Sequence, residues 1–185
     1  MTPSDSTSPT AHAVVQFWQE AGPQAWFEKN PAFDTAFARR FLPAHHAAAR
    51  RELEPWLDTP EGALALMILL DQLPRNAFRD SAHGYATDSL ALHYAHRAVA
   101  AGHDAQIVPA LRAFLYLPFE HAEDSAMQAR SVELFTAMGE AEVLKYAIAH
   151  QQVIARFGRF PHRNRALGRE NTPDEQAWLD AGGGF

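Results

Sequence analysis

No cysteine occurs in the 185 residues. Its absence excludes disulfides, thiolate nucleophiles and cysteine-ligated zinc or iron–sulfur centres. Lysine is almost as scarce. Lys29 and Lys145 are the two lysines, so nearly all of the 16 basic side chains are arginines. Against 22 acids they leave a formal charge of -6, which argues against nucleic acid as a partner, because its binders carry a basic footprint. Long apolar runs are missing too. The most apolar, Ala63 to Leu70, lies between Glu61 and Asp71 and is less than half of the roughly 20 residues that a membrane-spanning helix needs. It reads as a buried core helix. The expectation is a soluble, cytoplasmic protein with no membrane partner. Gly-rich phosphate loops, a GxSxG elbow and an HExxH motif are also absent, so no motif names a cofactor.

What is present is a core. Hydrophobic residues make up 47% of the chain, enough for one compact domain of this length. The first residues, rich in Ser, Thr and Pro, read as a disordered tail over 1–11, followed by one helical domain over 12–185. Apolar residues recur at three to four positions almost throughout, and no period-two strand is long enough to count. The reading is all-α, with about seven to nine helices in successive antiparallel hairpins. Gly22-Pro23 predicts the end of the first helix, and Pro31 and Pro43 bracket the second. Thr59-Pro60-Glu61 starts the apolar helix, which runs to Gln72. Pro74 interrupts, which makes 73–84 a loop or an irregular turn. Asp104 is expected to cap a helix that ends before Pro118. Gly139 hinges a last long pair, and Thr172-Pro173-Asp174-Glu175 carries a capping box.

Three constellations can carry chemistry. The segment from Ile154 to Arg169 holds Arg156, Arg159, Arg163, Arg165 and Arg169, with His162 and no acid. Arginine offers a planar fork of donors matched to carboxylate or phosphate, and convergent arginines need an anion or acids to offset their repulsion. Phe119-Glu120-His121-Ala122-Glu123-Asp124 places acids and a histidine at what reads as a helix amino end. There His121 with Glu123, and a distant His150, are the candidates for proton transfer. A mixed His/carboxylate metal set from the same residues matches no ligand spacing, and no metal is assigned. Asp71-Gln72 closes the apolar helix, and Arg75, Asn76 and Arg79 follow it. Leu73 to Arg79 also echoes Phe160 to Arg169, each a proline turn with an Arg-Asn pair. His93 and His96 read as a solvated helix face.

These residues carry a resemblance. Phe17-Trp18, Trp26-Phe27, the run from Leu69 to Arg79, Thr87-Asp88, the run from Phe114 to Glu123, Gln128 and the run from Phe157 to Arg169 resemble the bacterial family catalogued as domain of unknown function 924. The likeness spans about Ala13 to Leu179, with Ala122 standing where a small hydroxylated residue is expected. It implies a helical fold similar to tetratricopeptide-like superhelices, and it implies no activity. Its signature positions fall on Asp71, Gln72, Arg75, Asn76, Arg79, Asp88, His121, Glu123, Gln128, His150, Arg156, Arg159, Arg163, Asn164 and Arg169. A signature so rich in polar groups suggests that both proline turns and the His121 segment converge on one concave pocket. There Arg75, Arg79, Arg159 and Arg163 would hold a small anionic phosphate- or carboxylate-bearing ligand. Two rival readings stay open: a scaffold that clamps an acidic peptide or a partner's carboxyl terminus, and a network of structural salt bridges.

Overall fold

The computed structural model describes residues 9–185. Most of the expected tail, up to position 8, lies outside the described residues, and Thr10 already belongs to the fold. Its hydroxyl accepts from the Ala13 N–H and caps α1 (Ala11–Phe27). The stop expected at Gly22-Pro23 is a kink, not an end. Gly22 takes φ 75°, and Pro23 opens a second helical segment where its missing N–H has no intrahelical partner to lose. The Trp26 indole N–H then donates to the Trp18 carbonyl and ties that segment back.

Asn30 caps α2 (Pro31–Ala49), which runs through Pro43 rather than ending there. Pro43 is exposed, on a side where water can take the carbonyl that its ring leaves without a donor. Thr59 caps α3 (Pro60–Met67) as expected. A π-helical turn, Ile68–Gln72, then leads into α4 (Leu73–Ala77), so the chain stays helical across Pro74 where a loop was expected. Next come α5 (Asp88–Ala100), α6 (Pro109–Glu120), α7 (Ser125–Met138), α8 (Ala141–Phe157) and α9 (Pro173–Asp180). Asp104 does not cap α6; its carboxylate accepts from the Tyr116 hydroxyl at 2.7 Å. Nor does Pro118 end α6; it is buried inside the helix, which runs on to Glu120. Gly139 (φ 82°) turns α7 into α8, and both hydrogen bonds of the Thr172–Glu175 capping box are present. The described residues are all-helical, with no strand.

The apolar helix lies at the centre. Residues 62–74 are all buried, and α3 with its continuation packs against α1, α2, α5 and α6. An aromatic layer of Phe17, Trp18, Phe37, Phe41 and Phe114 closes one side, with ring centroids 5.3–5.9 Å apart. Each large side chain fully buried there contributes about 1.5–3 kcal/mol. A smaller cluster of Val153, Ile154 and Phe160, with Phe157 and Trp178 against it, seats the carboxyl-terminal segment on α8. The basic run is therefore folded onto the protein.

Candidate functional site

The π turn builds the site. It displaces the ladder so that the Leu73 N–H bonds the Ile68 carbonyl, and Pro74 offers no N–H at all. Carbonyls at 69 and 70 are left over in the core, and buried backbone acceptors must find donors. The His45 Nδ1–H donates to Leu69 O at 2.8 Å and the Thr87 hydroxyl donates to Leu70 O. Arg75 reaches back with Nη1 to Asp71 O at 2.8 Å. The side chains that satisfy the bulge fix Asp71 and Arg75 at the helix's inner end.

Around Asp71 a polar centre forms inside the protein. Its Oδ1 accepts from His121 Nδ1–H at 2.7 Å and lies 3.1 Å from Arg75 Nη1, while Oδ2 accepts from Gln72 at 2.6 Å. Arg75 donates both ends of its fork to Asp88 at 2.8 and 2.9 Å, and Arg163 Nη1 donates to the same carboxylate at 3.2 Å. Tyr85 lies beneath both guanidiniums, at 4.8 Å from Arg163 and 5.6 Å from Arg75. Phe160 lies 4.5 Å from Arg163 on another side. His150 is 6% exposed. Its Nδ1–H donates to Tyr146 O at 2.9 Å and lies 3.3 Å from Glu120 Oε1. Phe185 stacks on the His150 ring with centroids 3.6 Å apart.

The titration properties follow from burial and these neighbours. Burial alone would raise the Asp71 carboxyl, but Arg75 and His121 outweigh it and hold it well below the usual carboxylate range. Glu120 lacks such help. Burial, with Asp71 nearby, pushes it up to about 8, and its Oε2 is buried without a hydrogen-bond partner. Burial, with His121 beside it, takes His150 down to about 3. His121 is lowered too, by burial and Arg75, against the pull of Asp71. Burial and Arg75 lower Arg163 to about 10, although Asp88 opposes them, and its buried Nε has no partner. Burial and Arg163 push His162 down to about 4, and its Nδ1 is likewise buried and unpartnered. Both His121 and His150 donate through Nδ1, so each neutral ring carries its lone pair on Nε2. Such a lone pair serves either as a base or as a ligand.

The other sequence-predicted residues are placed elsewhere. Asn76 and Arg79 both donate to Asp34 on α2 and fasten α4 to it. Arg159 gives a two-pronged bond to Glu175 and a third bond to Glu170 O. Arg169 gives a two-pronged bond to Glu123, whose Oε1 also accepts from the Phe160 N–H. Glu123 is thus not the partner of His121, contrary to expectation, because Arg169 and Phe160 occupy it. The stretch from Glu120 also closes α6 rather than opening a helix; Asp124 is the residue that caps α7. Asn164 links the second cluster, donating to Asn171 and Glu175 and accepting from Arg169. Gln128 donates to the Glu120 and Ala122 carbonyls and so fixes the turn that carries His121. Arg156 is exposed beside Phe157.

The arginines therefore do not all face one concavity. Arg75 and Arg163 meet, whereas Arg79 and Arg159 turn to acids of their own. A cavity of about 260 Å³ is lined by Ser125, Gln128, Gln151, Gln152, Ile154 and Ala155, with no arginine among them. Reading the sequence missed Asp34, Tyr85, Glu175 and Phe185, and it named Glu123 where Glu120 lies beside His150. Nothing local marks them as partners of the site, and Glu175 shows in the sequence only through its capping box. One ligand atom from each of Glu120, His121 and His150 lies within 4.8 Å of the other two, and His45, His46 and His83 form a second such group.

A structure of the protein of unknown function ATU0120 from Agrobacterium tumefaciens is similar throughout. It is 52% identical, with a TM-score of 0.90 over 92% of this chain and 97% of that one. No curated protein matches the chain. The sequence pattern of the bacterial proteins of unknown function called DUF924 matches residues 14–183, nearly the whole chain, and the protein belongs to that family.

Proposed function

We propose that this protein binds a small anion, bearing a phosphate or carboxylate group, at the Arg163 end of the buried centre. One observation carries the reading: Arg75 and Arg163 share Asp88, so Arg163, 5% exposed, keeps a buried Nε without an acceptor. A buried guanidinium left short of acceptors is costly, and a bound anion repays it through charge-assisted hydrogen bonds. His162, next in the chain, has its own buried and unpartnered Nδ1. Arg75 supports the site by holding Asp88. The scaffold reading has less support, because Arg79, Arg159 and Arg169 already hold carboxylates of this same chain.

The test is a thermal-shift and native mass spectrometry screen of inorganic phosphate and of phosphate- and carboxylate-bearing metabolites. An anion at a hundred times its Kd stabilises the wild type by about 2.7 kcal/mol. Arg163→Ala should weaken it roughly thirtyfold or more, Arg163→Lys should weaken it less, and Arg79→Ala should leave it unchanged. If no anion in the screen binds wild type better than Arg163→Ala, the reading is wrong.

A further inference from the structure

The group Glu120, His121 and His150 is not explained by the anion site. Its ligand atoms lie within 4.8 Å of one another. All of these side chains are withdrawn from solvent, at 13% exposure for His121 and less for the others. Glu120 Oε2 is buried and makes no hydrogen bond. Each imidazole is already fixed through its Nδ1, and at His150 that nitrogen also lies 3.3 Å from Glu120 Oε1. His121 donates its Nδ1–H to the Asp71 carboxylate, and His150 donates its own to the Tyr146 carbonyl. Outer partners of this kind fix the tautomer and aim the other ring nitrogen outward, as they do for histidines that ligate metals. Gln128 pins the turn on which Glu120 and His121 stand.

We propose that Glu120, His121 and His150 bind a divalent first-row transition ion, with Asp71 and the Tyr146 carbonyl orienting the two imidazoles. Two nitrogens and a carboxylate oxygen suit zinc or iron(II) rather than calcium or magnesium, which prefer all-oxygen shells. Three protein ligands leave a coordination position open. An ion here gives the unpartnered Glu120 oxygen its partner. Together with Arg75 and Arg163 it outweighs Asp71, Asp88 and Glu120 by one positive charge, so the centre accepts an anion more readily. The rival triplet, His45, His46 and His83, has no carboxylate. There His83 is exposed and stacked on Phe78.

The proposal does not depend on the anion reading, because the probe is the metal alone. Full-length untagged protein, stripped with a chelator and returned to chelator-free buffer, is titrated calorimetrically with Zn²⁺ and spectroscopically with Co²⁺. One equivalent should bind, with the visible bands of four- or five-coordinate Co²⁺. Asp71→Asn should weaken it about 10–100-fold, and Glu120→Gln more. The double variant His46→Gln/His83→Gln should leave it unchanged. Should Glu120→Gln fail to fold, anomalous diffraction from a Zn²⁺-soaked wild-type crystal decides: a peak bonded to Glu120, His121 and His150 supports the site. No binding, binding indifferent to Glu120→Gln in a folded variant, or a peak confined to the other triplet overturns it.

Discussion

Two sets of arginines differ in how completely they are matched. Arg79, Arg159 and Arg169 each have a carboxylate that no other arginine shares, Asp34, Glu175 and Glu123, with both oxygens engaged. Arg75 and Arg163 divide Asp88 between them, and Arg163 is the one left with unused hydrogen-bonding capacity. Both sets carry the same side chain, and each has members near both Pro74 and Pro161. What separates them is the number of acids within reach. A matched arginine fastens one part of the chain to another, and an undermatched buried one has capacity for a ligand. The same distinction separates Glu123, saturated by Arg169 and Phe160, from Glu120, whose Oε2 has nothing.

The sharpest way to break this comparison is to cut a matched pair. Arg169 holds Glu123 twice, Asn164 Oδ1 once and the Phe160 carbonyl once. Arg169→Ala strands all of these at three-quarters burial of the arginine, which should cost about 2–3 kcal/mol. For a domain of this size that is a fall in melting temperature of roughly 5–10 °C. Hydrogen exchange should rise across 158–180, and a double-mutant cycle with Glu123→Gln should show coupling. A loss of under about 0.5 kcal/mol would mean that the matched pairs do not fasten the fold.

The fold was largely legible because helix periodicity and caps are local. Thr59, Gly139 and the Thr172–Glu175 box act within a few residues, and each is where the pattern puts it. Prolines were misread where the surroundings offset their lost hydrogen bond. Pro43 leaves its orphan carbonyl to water, and Pro74 sits after a π turn whose spare acceptors are served by His45 and Thr87, from 24 and 17 residues away. The site was half legible for the same reason. Of the candidate residues, Asp71, Arg75, Asp88, His121, His150 and Arg163 do come together. Their partners were hidden, because Arg79 meets Asp34 across 45 residues and Arg169 meets Glu123 across 46. No spacing rule reaches that far, so matched and undermatched arginines look alike in the sequence.

A smaller effect sharpens the undermatched side. Thr87 is buried and donates to Leu70 O inside the π turn that positions Asp71 and Arg75. Thr87→Val keeps the shape and removes the donor, leaving one buried carbonyl unpaired at a cost of about 1–2 kcal/mol. The loss should be felt at the centre and not at the carboxyl-terminal clasp. Hydrogen exchange should quicken over 68–78 while 158–180 stays protected. Equal loosening of both regions would show that the two sets of arginines form one cooperative unit.

The last probe is Glu175→Gln, and its meaning lies in acid. Arg159 holds the Glu175 carboxyl down at about 2, with the Thr172 N–H helping, against an ordinary value of 4.5. A carboxyl depressed in the folded state stabilises fully above its unfolded value and loses that contribution as pH falls through the folded one. The clasp around α9 should therefore weaken between about pH 4.5 and 2. Glu123 is also held low, because Arg169 and the Phe160 N–H outweigh its burial, so acid weakens that fastening too. Glu175→Gln should accordingly reduce the slope of α9 protection against pH without abolishing it, as followed by hydrogen exchange over 172–180. An unchanged slope would place the acid sensitivity wholly in the Glu123–Arg169 pair, making Arg159 the weaker of the two fastenings despite its closer contacts.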